Sequence, residues 1–272
     1  MDESLPKAIV LADTATKLGA RAGGAVIVTG SHGGRYAGYL TLGAHPRAVI
    51  HHDAGIGKDR AGIAVLAMAE GLRVAGATVS HNSCRIADAA DMIARGAISF
   101  ANALAEALGV GAGMPCREAS LRLLAAQPSN RNPEPCAESR RVIENAEWRR
   151  RIVLIDSASL IEATDADQII VTASHGALVG GDAAMALKVN GFAAAFSDAG
   201  VGRDGAGITR LAALDQRSIA GLTVSAASAR IGEATSVYEE GIISYVNASA
   251  ARLGAHPGEP LLGRLLSWTT SR

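Results

Sequence analysis

The chain has 272 residues, 49% of them hydrophobic, 19% charged and only 3% aromatic, a composition that sustains a large buried core and excludes an intrinsically disordered protein. Lys plus Arg and Asp plus Glu number 26 each, for a formal net charge of zero, so no basic field exists to hold a nucleic acid backbone. The first residues, MDESLPKAIV, lack the basic and apolar regions of a signal peptide, and no apolar run approaches the ~20 residues that span a bilayer. A cytoplasmic protein without membrane or nucleic-acid partners is therefore expected.

From the N-terminus, the apolar runs KAIVLAD and AVIVTG predict two strands, the second leading into Ser31, His32 and Gly33. A short helix leads to a third strand, RAVIHHD, which ends on Asp53. A glycine-rich loop follows, Gly55-Ile56-Gly57-Lys58-Asp59, and a helix is expected to begin near Ala61. A fourth strand, ATVS, and a long helix spelled DMIARGAISFANALAEALG complete the set. Residues 111–150 predict a helix around Arg117 to Ala126, the Pro/Asn-rich breaker QPSNRNPEP, and a charged amphipathic helix around Ala137 to Arg151.

The same order then recurs. LADTATKLGARAGGAVIVTGSHGG, from Leu11, matches LIDSASLIEATDADQIIVTASHGA, from Leu154. After a two-residue insertion HHDAGIGKDRAGI, from His51, matches FSDAGVGRDGAGI, from Phe196, and ATVSHNSCRIAD pairs with LTVSAASARIGE. The expectation is an internally duplicated three-layer α/β/α sandwich with a mostly parallel sheet in each half, residues 1–131 and 132–272, joined near Asn132.

Ligands of open α/β sheets bind at the carboxyl ends of the strands, and the repeated polar residues lie there. Ser31 and His32 end strand two, Asp53 ends strand three, and Ser80, Ser83 and Arg85 follow strand four. Ser174, His175, Asp198, Ser225, Ser228 and Arg230 are their counterparts. An imidazole beside small residues at a strand end suits acid/base chemistry, so His32 and His175 are candidates for proton transfer, against a structural role bonded to loop carbonyls. Ser31 and Ser174 are candidate nucleophiles weakened by their adjacency to the base. Asp53 and Asp198 are candidate carboxylates of the same site.

The loops Gly55-Ile56-Gly57-Lys58 and Gly200-Val201-Gly202-Arg203, with Gly33, suit an anion. Glycines admit close approach of backbone N–H groups, and a helix N-terminus and a cation favour negative charge. Simple tight turns, with Asp59 and Asp204 as helix caps, are the competing reading. Arg85 and Arg230 suit bidentate carboxylate recognition or, alternatively, ion pairs with Asp88 and Glu233. Asp13 and Asp156 read as caps of the next turn. Gly96, Ser99 and Asn102, and their partners Gly241, Ser244 and Asn247, read as one face of the last helix.

Cys84, Cys116 and Cys136 are odd in number and lack CxxC spacing, which argues for free thiols rather than a disulfide framework or a zinc site. Cys84, close to His81 and Arg85, is the candidate reactive thiol, with burial as the competing reading. His32, His51, Asp53 and His81 could in principle bind a divalent metal, but no spacing fixes them on one face, and neither metal nor cofactor is expected.

A strand ending in His-Gly, with Asp-Ala one strand later, resembles the His-Gly and Asp-Ala-Cys boxes of caspase-like and clostripain-like peptidases over a short stretch of each half. Gly55 and Gly200 stand where that pattern has its cysteine, so the resemblance does not extend to that mechanism. The functional expectation is a homo-oligomeric, cofactor-independent enzyme hydrolysing an amide or cyclic amide C–N bond of a small carboxylated molecule. A two-base isomerase or racemase and a non-catalytic metabolite-binding protein are the alternatives.

Overall fold

A computed structural model describes residues 5–270. It divides into two compact units. Unit 1 comprises residues 1–54, 62–136 and 202–204, and unit 2 comprises residues 55–61, 137–201 and 205–272. Residues 55–61, with the first glycine-rich loop, are thus counted with unit 2, and residues 202–204 of the second loop with unit 1.

Unit 1 contains the strands β1 (Ile9–Ala12), β2 (Val26–His32), β3 (Ala48–His52), β4 (Ala75–Val79) and β5 (Ile98–Ala101), paired in that order. β1 to β4 run parallel, and β5 is antiparallel to β4. Its helices are α1 (Arg35–Gly43), α2 (Val65–Gly71), α3 (Ala89–Arg95), α4 (Ala103–Glu106) and α5 (Cys116–Arg122). Successive strand residues face opposite sides of a sheet, and here both sides are apolar. Ile27 and Val49 pack with Leu42, Val65 and Ala69 on one face. Val26, Val28 and Ile50 pack with Met92, Cys116 and Leu123 on the other.

Unit 2 contains β6 (Arg140–Ile143), β7 (Ile152–Ile155), β8 (Ile169–His175), β9 (Ala193–Ser197), β10 (Ala220–Val224) and β11 (Ile243–Val246), with α6 (Arg210–Gln216), α7 (Ala234–Glu240), α8 (Ala248–Arg252) and α9 (Leu261–Thr269). β7 to β11 repeat the order of β1 to β5, and β6 adds an antiparallel edge beside β7. Ile170 and Phe196 face one core, and Val171 and Ala195 the other. The duplicated, mostly parallel α/β sandwich follows directly from these strands being apolar on both faces. Among the described residues no helix is long and apolar enough to cross a membrane.

The sequence expectations fail at several elements. The long final helix of each repeat is a helix, a strand and a second helix. Gly96 and Gly241 end α3 and α7 in extended conformation, and the chain turns back as β5 and β11. Asn102 and Asn247 are N-caps, their side chains accepting from Ala105 N and Ala250 N, while Ser99 bonds Thr78 across the sheet at 3.0 Å. They form no single helical face. The amphipathic helix expected around Ala137 to Arg151 is replaced by β6, where Val142 and Ile143 favour a strand and Arg140 forks onto Asp165 at 2.8 and 3.1 Å. No α-helix joins β8 to β9, because Gly180 and Gly181 adopt φ of 67° and 71° and leave only 3₁₀ turns. Asn132 is exposed in irregular chain, and the units divide after Cys136.

Candidate functional site

The histidines at the sheet rim of unit 1 divide by their bonds. Nδ1 of His32 accepts the Gly34 amide at 3.1 Å, and Nδ1 of His52 accepts the Ala54 amide at 3.1 Å. In unit 2 His175 repeats the pattern with Ala177 at 3.3 Å. Each of these rings therefore spends one nitrogen on its own turn. His51 is enclosed, its Nδ1 donating to the His32 carbonyl at 3.2 Å and its Nε2 meeting the Thr41 hydroxyl at 3.0 Å. Burial pushes His32, His51 and His52 down to about 4, so all three are neutral at physiological pH. A base that weak is poorly matched to proton transfer near pH 7.

His81 is held differently. Its ring Nδ1 lies 2.9 Å from Asp53 Oδ1, and its backbone amide donates to the same oxygen at 2.9 Å. Asp53 is buried and His81 is 18% exposed. The His81 hydrogen bond and the charges nearby hold the Asp53 carboxyl below the usual range in spite of burial, which fixes an anion against Nδ1–H. The remaining nitrogen, Nε2, keeps its lone pair. In the second repeat Asp198 Oδ1 accepts from Gly200 N and Ala226 N, both at 2.9 Å. Ala226 occupies the place of His81, so the carboxylate there serves the backbone alone.

Ser31 and Ser174 do not face a base. Their hydroxyl oxygens accept the amides of Ala15 at 2.9 Å and Ala158 at 3.0 Å, tying the chain after β1 and β7 to the sheet. Asp13 and Asp156 accept from Ala89 N and Ala234 N at the starts of α3 and α7; Thr14 and Ser157 cap the local turns instead. Gly33 and Gly176 pack against backbone. A Cβ at Gly33 would stand 2.7 Å from the Gly62 carbonyl, and one at Gly176 would overlap the Gly207 carbonyl.

The glycine-rich loops are left-handed over four residues in succession. Ala54, Gly55, Ile56 and Gly57 have φ of 47°, 77°, 63° and 73°, and Ala199, Gly200, Val201 and Gly202 have 49°, 75°, 62° and 69°. Branched Ile56 and Val201 are strained in this region. The loop amides largely serve the protein. Lys58 N donates to the Ala226 carbonyl and Arg203 N to the His81 carbonyl, both at 2.8 Å. A Cβ at Gly202 would stand 3.0 Å from that His81 oxygen, so glycine here permits close backbone approach.

Asp59 and Asp204 do not cap helices: their φ are 52° and 57°, and regular helix starts only at Val65 and Arg210. They bind arginines. Asp204 takes Arg95 at 2.9 Å and lies 3.7 Å from Arg85, while Asp59 takes Arg230 at 2.8 Å. Arg85 also reaches Asp88 at 3.0 Å, and Arg230 reaches Glu233 at 2.7 Å. Lys58 pairs with Glu240 at 3.0 Å. The cations expected to receive a substrate are thus engaged by carboxylates, except that Arg203 is exposed and has no ion pair among the described residues.

Cys84 and Cys116 are fully buried. Burial pushes the Cys84 thiol up to about 12, so the effect of burial exceeds that of the nearby cations and no thiolate forms near neutrality. Among the described residues no group of three His, Cys, Asp or Glu side chains could hold a metal ion. His51 and His52 are consecutive on β3 and face opposite sides of the sheet, and Asp53 is committed to His81.

Comparison with protein-family models, with curated proteins and with solved structures gave no match. Sequence reading named His81 only as a possible metal ligand and neighbour of Cys84. The signal for its role was present in the repeat alignment, where Asp53 and Asp198 are retained but His81 faces Ala226.

Proposed function

We propose that the protein is a cofactor-independent hydrolase of the C–N bond of a small carboxylated amide or cyclic amide, with its chemistry confined to unit 1. The observation that carries this reading is the Asp53–His81 pair at 2.9 Å. A buried carboxylate that fixes the Nδ1–H tautomer leaves Nε2 free to take a proton from water. The water oxygen then attacks the amide carbon, and the same proton passes from His81 to the departing nitrogen as the C–N bond breaks. Arg203, whose amide bonds the His81 carbonyl at 2.8 Å, is the cation in reach of the substrate carboxylate.

The left-handed run that begins at Ala54, the residue after Asp53, supports the reading, since strained backbone concentrates where function holds it. A two-base isomerase fits less well, because the second repeat has Ala226 where a second base would stand. The test is a screen of carboxylated amides and cyclic amides with product detection, followed by His81→Gln and Asp53→Asn on any substrate found. Turnover that falls at least ~100-fold in His81→Gln supports the assignment. Turnover unchanged in both variants, or lost instead with His32→Gln alone, overturns it.

A further inference from the structure

A second opening in unit 1 lies away from the Asp53–His81 pair. It is a half-open cavity of about 580 Å³ bounded by α1, α2 and the end of the Pro/Asn-rich breaker with Cys136, within the range of small-molecule sites. Its walls are mostly apolar: Ala67, Met68 and Leu72 come from α2 and its end, and Pro133 and Pro135 close over them. The covering chain is anchored. Ser129 Oγ donates to the Leu72 carbonyl at 2.6 Å, and Arg131 donates to the Gly71 carbonyl at 3.2 Å.

Two charges are set into this lining. Arg35, the first residue of α1, supplies a guanidinium with no ion pair among the described residues. Glu134, on the covering chain, supplies a carboxylate that is likewise not paired with it among those residues. We propose that the cavity binds an apolar monocarboxylate, its carboxylate on Arg35 and its hydrocarbon part against Met68, Leu72 and Pro133. Arg35 and the start of α1 favour one negative charge. Glu134 opposes a second, which selects against dicarboxylates.

Cys136 borders the same cavity and is the one partly exposed cysteine, Cys84 and Cys116 being buried. Its thiol reports occupancy. In the native 272-residue chain the neutral reagent 4,4′-dithiodipyridine should modify one thiol rapidly, and octanoate should slow that reaction saturably. Octanol, octylamine and the dicarboxylate suberate should slow it far less. Arg35→Met should weaken octanoate protection about tenfold or more, as loss of a charge-assisted contact requires, while the rate without octanoate stays as in the parent. Arg35→Lys should keep most of the protection. Equal protection by octanol or suberate, full protection in Arg35→Met, or no protection by octanoate at any concentration below its micelle point would overturn the assignment. None of these readouts involves hydrolysis.

Discussion

Asp53 Oδ1 receives both the ring and the backbone N–H of His81, each at 2.9 Å. One oxygen thus fixes the position of the residue and the tautomer of its ring, and Asp198 repeats only the backbone contact, through Ala226 N. The neutral imidazole of His81 is expected to carry its proton on Nδ1. Long-range ¹⁵N–¹H correlation spectra near neutral pH should show that tautomer in the parent and a mixture in Asp53→Asn. A predominantly Nε2–H ring in the parent would remove the basis for His81 as a base.

The second repeat offers the reciprocal test. Asp198 already holds the amide of Ala226 at 2.9 Å, so Ala226→His would place an imidazole where the first repeat has one. The added ring, when neutral, should carry its proton on Nδ1 against Asp198, as the His81 ring does against Asp53. Long-range ¹⁵N–¹H correlation spectra of the variant are the measurement; a predominantly Nε2–H ring would mean that the backbone geometry does not bring the ring to Asp198.

Much of the fold was legible because the strands are continuous apolar runs and each polar turn occurs twice. The failures have physical causes. DMIARGAISFANALAEALG has helical composition throughout, and only Gly96 and the Asn102 cap mark the strand between its two helices. Cap geometry and β-pairing are tertiary facts that local propensity does not carry. At the site, the positions of His32, Asp53 and Arg85 at the rim were readable, but their partners were not. Whether Arg85 meets a substrate or Asp88 depends on side chains brought together by folding, and composition treats both cases alike.

Asp91 is a further point where the repeats differ. It is buried, accepts from Arg85 N and Arg95 Nε at 2.7 Å each, and is held below the usual carboxylate range by those bonds. Ser236 stands in its place in the second repeat and accepts from Arg230 N at 3.0 Å. Asp91→Asn should cost about 2 kcal/mol at pH 7, the order expected for weakening a buried charge-assisted network. Because the folded carboxyl titrates below its unfolded value, that contribution is complete above about pH 4 and fades as pH falls further. Urea unfolding of parent and variant at pH 7 and pH 3 should show the difference shrinking; a difference that is constant or grows in acid would refute this account.

The buried histidines act in a separate, higher pH window. His51 is fully buried, and its ring falls from the ordinary 6.5 to about 4 in the folded chain. Above pH 6.5 the ring is neutral in both states and stability is independent of its titration. Between 6.5 and 4 the unfolded chain binds a proton that the folded chain refuses, so stability declines as pH falls. Below about 4 both states are charged and the decline from this ring ends. The fall corresponds to about 3 kcal/mol for His51 across the window, and His52 adds in the same direction. His51→Gln replaces the titrating ring with an amide able to bond both the Thr41 hydroxyl and the His32 carbonyl. Its urea midpoint should lie below the parent's at pH 7.5 from imperfect packing, yet drop less between pH 7.5 and 4.5. If parent and variant lose stability in parallel over that interval, His51 is not the group that senses acid.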